Sequence, residues 1–579
     1  MRTTAAARNA PPKVELPKLR ASMLFAALAA LFATLAGRSL YLQGIDDEFL
    51  QDQGRARYSR TLEVPAHRGR IVDRHGEALA ISTPVKSLWA FPDRLEATAS
   101  QWSALAAILE TTPAALRKRV SSADDFVYLA KRIPPESAER ALALRIKGLY
   151  DENEYRRYYP GGEVMGHVLG FTGTHDAGQE GIELAQQAWL GGRTGTRRVI
   201  INRRGDVVED VAAIRDPQAG RDLALAIDSR LQYIAFRELK AAVELNKAKA
   251  GGLVIVDTQT GEILALANWP AFNPNRIDAL VRDRMRNRAL TDVFEPGSTL
   301  KPFTAATVLE AGTARPDTLV DTSRGALTIN GATIRDAHAS PGPLTLEQII
   351  QKSSNVGAAK LALGVPAQRM WQTLSDAGFG TVPKTGFPGE VSGRLRPAKS
   401  WKPIEQATIS YGHGISTNLV QLARAYTIFA NDGELKSVTL MRTNGPVAGV
   451  QIIKPETARA VRKMLEMATL PGGTAPKAQV VGYRVAGKTG TAHKLEGRTY
   501  ADKYLSSFVG FAPVSAPRIV VAVMIDEPSA GQHYGGAVAA PVFSAVTGAA
   551  LRLLGVPADA PSNNVILPAD GAELIREET

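Results

Sequence analysis

The run Phe294-Glu295-Pro296-Gly297-Ser298-Thr299-Leu300-Lys301-Pro302-Phe303 holds a turn, a helix start and a nucleophile. Pro296-Gly297 predicts the turn, and the apolar stretch from Phe303 to Leu309 predicts a helix that stops near Gly312. Ser298 then falls at or just before the helix N-terminus, and Pro302 is tolerated because it lies in the first turn. Residues three apart on a helix share a face, so the Ser298 hydroxyl and the Lys301 amine come within hydrogen-bonding reach. A hydroxyl beside a basic amine is an activated nucleophile.

In isolation S-x-x-K is a weak signal, met equally well by a helix cap followed by a solvated lysine. Two further strings change its weight. Ser353-Ser354-Asn355 follows a helical stretch, and Lys488-Thr489-Gly490-Thr491 lies in a strand-like run. The order S-x-x-K, S-x-N, K-T-G, widely spaced, is a known signature of acyl-serine enzymes. On these three strings the sequence resembles the penicillin-binding proteins, serine D,D-transpeptidases that cross-link peptidoglycan. Arg286-Asn287-Arg288-Ala289 and Thr291-Asp292-Val293-Phe294-Glu295-Pro296-Gly297-Ser298 resemble the septal, monofunctional branch, class B of the FtsI type. An elongation-specific class B enzyme is the alternative within the same chemistry, disfavoured by the Thr291 to Phe294 lead-in.

At 579 residues, 45% hydrophobic and 22% charged, the chain has room for more than one globular core. A net charge of +12 invites a polyanionic partner, but no basic run or zinc-finger spacing organises it, so the charge reads as a solvated surface and nucleic acid is not expected. With no cysteine there is no disulfide, thiol nucleophile or Cys-ligated metal. The eight histidines are scattered without metal-ligand spacing, so neither a metal nor a cofactor is expected.

Residues 1–20 carry Arg2, Arg8, Lys13, Lys18 and Arg20 against Glu15, and the following stretch, 21–42, is almost wholly apolar. That is about the 20 residues a membrane helix needs. Basic residues before it and Asp46, Asp47 and Glu48 after it predict a cytoplasmic tail and an external remainder. A cleaved signal peptide ending near Thr34-Leu35-Ala36 is the competing reading, and the length of the apolar run favours an uncleaved anchor.

Residues 43–220 mix short strand and helix patterns and contain no catalytic string. Arg68-Gly69-Arg70-Ile71-Val72-Asp73-Arg74-His75-Gly76 reads as a strand closing on a turn. By resemblance it is the first signature of a class B pedestal, or dimerisation-type, domain. Arg157-Tyr158-Tyr159-Pro160-Gly161-Gly162 and Gly178-Gln179-Glu180-Gly181-Ile182-Glu183 match later signatures, whose Arg and Glu residues are expected to serve structure rather than chemistry.

From about 221 to 556 the pattern changes. A buried-strand run, Leu223 to Asp228, precedes a helix from Ser229 to about Asn246 that Ser229 can cap. Leu253 to Val256 and Glu262 to Asn268 predict one hairpin, and Phe508 to Ala512 with Ile519 to Asp526 a second. Strands at both ends enclosing a helical middle predict an α+β domain, an antiparallel sheet covered by helices. The resemblance implies the same architecture, a transpeptidase domain. Ala540 to Leu554 predicts a closing helix, and 557–579 a flexible tail.

A lysine at its reference pKa near 10.4 is protonated and no base. Burial, a helix N-terminus and a second cation, Lys488, all disfavour the ammonium form. Lys301 can then take the proton of Ser298. The resemblance implies that Ser298 attacks a D-Ala-D-Ala stem peptide and releases D-Ala, leaving an acyl-ester. Ser353 has two readings. Thr345-Leu346-Glu347-Gln348 is a capping-box pattern opening a helix that Ser353 can terminate; as part of S-x-N it relays a proton to the leaving amine, with Asn355 on the substrate amide. Lys488 and Thr489 can hold the terminal carboxylate, and Gly490 lets substrate lie along the strand. Backbone N–H groups of Ser298 and Thr491 are the expected oxyanion hole, and by resemblance Thr491 also contacts substrate. Tyr411-Gly412-His413-Gly414 lies where relatives often carry Tyr-Gly-Tyr-Gly, and His413 is given no role.

No E-x-x-L-N string, the deacylating element of class A β-lactamases, occurs in the chain. The acyl-enzyme is therefore expected to await an amine, which in the resembled family is the diaminoacid side chain of a neighbouring stem peptide. A β-lactam sensor or a non-catalytic division scaffold is the alternative of a different class. Without a glycosyltransferase domain, the resemblance implies a separate polymerase of the FtsW type and regulators of the FtsN and FtsQ-L-B types, at the inner membrane with the catalytic domain in the periplasm.

Overall fold

The computed structural model describes residues 17–42, 59–124, 126–173, 176–201, 207–276, 282–322, 325–337, 342–497 and 499–567. The chain divides into two compact units, Met1–Ala66 with Arg193–Gln218, and His67–Gly192 with Ala219–Thr579.

The smaller unit contains helix α1, Lys18–Leu40, and a three-stranded antiparallel sheet in which Gly195–Ile201 lies between Ser59–Val64 and Val207–Arg215. At 1.5 Å per residue α1 is about 34 Å long, enough to cross a hydrocarbon core of about 30 Å. Its mean hydropathy of 1.8 and its lack of any buried residue fit an anchor. The helix starts three residues before the expected span and stops two short of it, because Lys18 and Arg20 are good helix formers that polarity alone assigns to the tail.

In the larger unit, the three strings read from residues 68–183 converge on one buried ion cluster. Arg68 Nε donates to Glu183 Oε2 and Arg157 Nε donates to Glu183 Oε1, both at 2.7 Å, and all three side chains are at most 2% exposed. The remaining donors of Arg68 reach the carbonyls of Asp176 and Glu183 and the side-chain oxygen of Gln187. These residues hold structure together, as expected. Strands Ala78–Ala90, Val127–Ile133 and Leu149–Tyr158 pair antiparallel, and the helices Ala99–Ile108 and Pro135–Leu142 bury Trp102, Leu105, Ala138 and Ala141 beside them.

Beyond residue 221 a five-stranded antiparallel sheet is flanked by helices on both faces. Helix α2 is Ser229–Leu245, followed by β1, Ala250–Asp257, and β2, Ile263–Trp269. Helices α3, Lys301–Glu310, α4, Leu346–Lys352, α5, Asn355–Leu363, and α6, Leu419–Ala430, form the middle. Strands β3, Ala486–Glu496, β4, Thr499–Ala512, and β5, Ile519–Asp526, precede the closing helix α7, Ala540–Leu553. The sheet order is β2-β1-β5-β4-β3, so the two expected hairpins join through β1 and β5, and β3 lies at an edge.

Alternation along β1 and β5 explains the layers. Leu253, Ile255, Val521 and Val523 join one core with Phe236 and Leu239 of α2 and Phe543 of α7. Val254, Val256, Val520 and Ala522 join another with Phe303 of α3 and Tyr426 and Phe429 of α6. A strand packed on both faces reads as one continuous apolar run, which is why Leu253 to Val256 shows no alternation. Two details differ from expectation. The cap of α2 is Asp228, not Ser229: its carboxylate accepts from the N–H of Arg230 and Leu231, while the Ser229 hydroxyl donates to Asp73. Much of 557–567 is bound rather than loose, since Asp559 accepts from the Arg484 and Ser515 N–H groups and Asn564 bonds Val480, Gly482 and Tyr483. Residues 568–579 lie outside the described ones.

Candidate active site

Ser298 sits on a 3₁₀ turn, Gly297–Leu300, that runs directly into α3, with Pro302 in the first turn of the helix as expected. The turn is clamped on several sides. Thr299 donates its hydroxyl to the Pro296 carbonyl at 2.7 Å, and Tyr426 of α6 donates its own to the Thr299 carbonyl at 2.7 Å. The Tyr411–Gly414 loop presses on it so closely that a Cβ on Gly412, whose φ is +94°, would lie 2.1 Å from the Gly297 carbonyl oxygen. Only glycine meets both demands at that position.

Lys301, fully buried, turns its amine back onto this serine. Nζ lies 2.7 Å from Ser298 Oγ, 2.9 Å from Ser353 Oγ, 2.6 Å from the Ser353 carbonyl and 2.8 Å from Asn355 Oδ1. Ser353 Oγ is in turn 3.0 Å from Ser298 Oγ, which closes a triangle of two hydroxyls and one amine. The helix-terminating reading of Ser353 is met, and its hydroxyl lies beside Ser298. It terminates α4 in the left-handed conformation, φ +62°, while Thr345 and Gln348 form the capping box at the other end. That geometry reverses the chain and aims the Ser353 side chain at the serine turn.

The next residue, Ser354, caps α5 by accepting from Gly357 N–H. Asp336 fixes the S-x-N turn: its carboxylate accepts from the Ser354 hydroxyl at 2.8 Å and from Val356 N–H at 2.9 Å. Nothing in the sequence around Asp336 signals this role. Asn355 is held at both ends of its amide, its Oδ1 facing Lys301 and its Nδ2 donating to the Arg335 carbonyl at 3.0 Å.

Lys488, Thr489, Gly490 and Thr491 pair along β3 with Val509, Phe508, Ser507 and Ser506 of β4. Gly490 faces the serine turn, since a Cβ there would come within 2.9 Å of the Pro296 carbonyl oxygen and 3.0 Å of Thr299 Cγ2. Its small size therefore serves the contact between strand and nucleophile turn, a requirement the sequence does not distinguish from room for a ligand. Lys488, also fully buried, donates to Thr489 Oγ1 at 3.0 Å, and Thr489 Oγ1 meets Thr474 Oγ1 at 2.8 Å. Thr491 Oγ1 accepts from Gly535 N–H at 3.0 Å.

Glu295, three residues before Ser298, also binds the turn to its surroundings. It accepts from Gly414 N–H at 2.8 Å and from the Tyr500 hydroxyl at 3.1 Å, and burial pushes its carboxyl above the usual range. The His413 and Tyr500 rings stack 5.5 Å apart beside it. Burial likewise pushes Tyr411 up, to about 12. The arrangement places a hydroxyl within hydrogen-bonding reach of an amine and of a second hydroxyl, beside a strand edge, a constellation that can support nucleophilic catalysis.

Comparisons with known proteins place the chain in a family. The penicillin-binding protein transpeptidase domain matches residues 251–548, and the penicillin-binding protein dimerisation domain matches residues 63–225. The chain is 41% identical, over 93% of each chain, to the peptidoglycan D,D-transpeptidase FtsI of Escherichia coli K12. It has the same identity and coverage with the probable peptidoglycan D,D-transpeptidase PenA of Neisseria meningitidis. Among solved structures, the transpeptidase domain of Burkholderia pseudomallei penicillin-binding protein 3 is 51% identical, with a TM-score of 0.54 over 58% of this chain and 98% of that one.

Proposed function

The chain belongs to the penicillin-binding transpeptidases of the FtsI and PenA type, and from that premise we propose how its buried serine works and where. It is a serine-type peptidoglycan D,D-transpeptidase of septal wall synthesis. The observation that carries the residue assignment is the triangle of Ser298 Oγ, Lys301 Nζ and Ser353 Oγ, with sides of 2.7, 2.9 and 3.0 Å.

In the acylation half-reaction, neutral Lys301 takes the Ser298 proton as Oγ attacks the carbonyl of the penultimate D-Ala of a donor stem peptide. The oxyanion is met by the N–H groups of Ser298 and Thr491, preorganised donors whose removal typically costs a factor of about 10²–10³. Ser353 passes the proton to the leaving amine, the C–N bond breaks and D-Ala departs, leaving an ester on Ser298. Lys488 and Thr489 hold the terminal carboxylate, Thr491 and Asn355 hold the peptide, and Gly490 brings the strand against the nucleophile turn.

In the second half-reaction the amine of an acceptor stem peptide attacks the ester. A C–N bond forms, the C–O bond to Ser298 breaks, and one amine proton returns to Oγ. A β-lactam enters by the first half-reaction and stays, because its leaving group remains tethered. No metal or cofactor has a part in these steps.

Helix α1 fits a single-pass membrane anchor. The tail before it lies in the cytoplasm and the catalytic domain in the periplasm, an orientation supported by basic residues ahead of the helix and acidic ones behind it. An FtsW-type glycosyltransferase supplies the nascent strands, and FtsN- and FtsQ-L-B-type proteins regulate the enzyme. Mixing the purified chain with penicillin, then following intact mass and mapping the adduct, tests the assignment. One persistent adduct on Ser298, absent from Ser298→Ala, is expected; full labelling of Ser298→Ala refutes it. Cross-linking of donor and acceptor stem peptides completes the test.

A further inference from the structure

One buried hydroxyl in contact with the K-T-G strand has no part in the steps above. After the helix Pro455–Met467 the chain turns through Gly472 and Gly473 and brings Thr474 Oγ1 to 2.8 Å from Thr489 Oγ1. The turn is fixed on several sides. Gly473 N–H donates to the Leu470 carbonyl and Ala475 N–H to the Ala468 carbonyl, each at 2.9 Å. A Cβ on Gly536 would lie 2.2 Å from the Thr474 carbonyl oxygen and 3.5 Å from Thr489 Cγ2, so the same glycine backs both threonines. Thr474 is 2% exposed and Thr489 1%, which puts the contact between their hydroxyls in the interior.

Two hydroxyls in contact can share a proton in either direction, and here the surroundings decide which one donates. Among the described residues the Thr474 hydroxyl has no hydrogen-bond partner other than Thr489. Were Thr489 the donor, the hydrogen of Thr474 would be buried without an acceptor, a penalty that exceeds the net gain from a typical hydrogen bond. Thr474 is therefore the donor. Lys488 Nζ donates to the same Thr489 oxygen at 3.0 Å. A hydroxyl has two lone pairs and one hydrogen. With Lys488 on one pair and Thr474 on the other, Thr489 can address any further group only as a donor.

We propose that Thr474 is a positioning residue of the transpeptidase. By filling the second lone pair of Thr489 it commits that hydroxyl to donate, which matches a carboxylate and turns away a group that must itself donate. The inference rests on the proposed role of Lys488 and Thr489 in holding the terminal carboxylate of the donor stem peptide, a group that a penicillin also carries. It adds the residue that makes Thr489 selective for that group. Thr474 acts through Thr489 alone, and the bonds made and broken are those of the first half-reaction. Its place, 15 positions ahead of Thr489 in a Gly-Gly-Thr turn, carries no catalytic string that would mark it in the sequence.

The experiment uses the full chain and two acylating agents, benzylpenicillin and its methyl ester, in which the carboxylate is masked. Acylation followed over a range of concentrations separates the limiting rate from the half-saturating concentration. Thr474→Val keeps the shape of the side chain and removes the donor. It is expected to raise the half-saturating concentration of benzylpenicillin about tenfold. The limiting rate, and the acylation by the ester, should stay within about twofold of the unsubstituted chain. Thr474→Ser, which keeps the hydroxyl, is expected to restore most of the loss. An equal loss with both agents would make Thr474 a structural residue and overturns the proposal, as does undiminished acylation by benzylpenicillin in folded Thr474→Val. Should Thr474→Val fail to fold, Thr474→Ala is read by the same outcomes. Equal acylation by benzylpenicillin and its ester in the unsubstituted chain would instead overturn the carboxylate-holding role of Lys488 and Thr489, so the two failures are separate.

Discussion

Lys301 and Arg68 are both buried cations of the larger unit, and they are held in opposite ways. Arg68 shares the Glu183 carboxylate with Arg157, so its charge is met by charge, through hydrogen bonds of fixed geometry. Lys301 Nζ lies 2.6–2.9 Å from two hydroxyls, a carbonyl and an amide oxygen, and its contacts include the Ser298 hydroxyl. A guanidinium cannot be deprotonated in a protein, whereas an amine can. On the proposed mechanism the Arg68 cluster keeps its charge and Lys301 takes and returns a proton.

Substitution separates the two. Lys301→Met replaces the amine by an apolar chain of similar length. Acylation by penicillin is expected to fall by about 10²–10⁴, the range for loss of a general base, while the thermal midpoint stays level or rises because a buried polar group is gone. Undiminished acylation would remove Lys301 as the base. Glu183→Gln works the other way. It strands two buried guanidiniums and is expected to cost about 3–5 kcal/mol in denaturant unfolding, with the acylation rate of the folded protein within a few-fold of the original. A large rate loss at unchanged stability would mean that the cluster belongs to the chemistry.

Acid sharpens the contrast further. His167 is buried, its Nε2–H donates to the Arg284 carbonyl, and burial lowers its pKa to about 4. A histidine that stays neutral when folded and titrates near 6.5 when unfolded contributes stability in full above pH 6.5. That contribution shrinks as the pH falls through the window from 6.5 to 4, because the unfolded chain binds the proton first. The expected loss is roughly 3 kcal/mol, read from unfolding midpoints at each pH, and His167→Asn should flatten the decline. A decline of the same slope in that variant would place its origin elsewhere. The smallest effect is at the clamp on the nucleophile turn, where Tyr426→Phe removes the bond to the Thr299 carbonyl and should cost about 1 kcal/mol, with a modest fall in acylation.

The site was legible where chemistry follows from local spacing. S-x-x-K puts Lys301 over Ser298 because helix geometry does so in any fold, and the capping box at Thr345 ends where Ser353 must turn. The three pedestal strings were legible as strings, but that Arg68, Arg157 and Glu183 meet was not, since the contact joins residues up to 115 positions apart. Asp336 and Glu295 escaped for the same reason: their partners come from other segments. Gly490 and Gly412 were visible as glycines, yet the backbone that presses on each belongs to the serine turn. The sheet order required the β1–β5 pairing, which no hairpin signal encodes, and the bound segment after 557 hid behind a composition rich in Pro and Asp.

The most direct test of the central claim is the pH dependence of penicillin acylation in the unsubstituted chain and in Lys301→Met, followed by stopped flow. The acylation rate constant is expected to rise with pH along a single limb in the first, reporting loss of the Lys301 proton, and to show no such limb in the second, whose residual rate should be flat over the same range. A limb of the same position and steepness in Lys301→Met would show that another group supplies the base and would contradict the account.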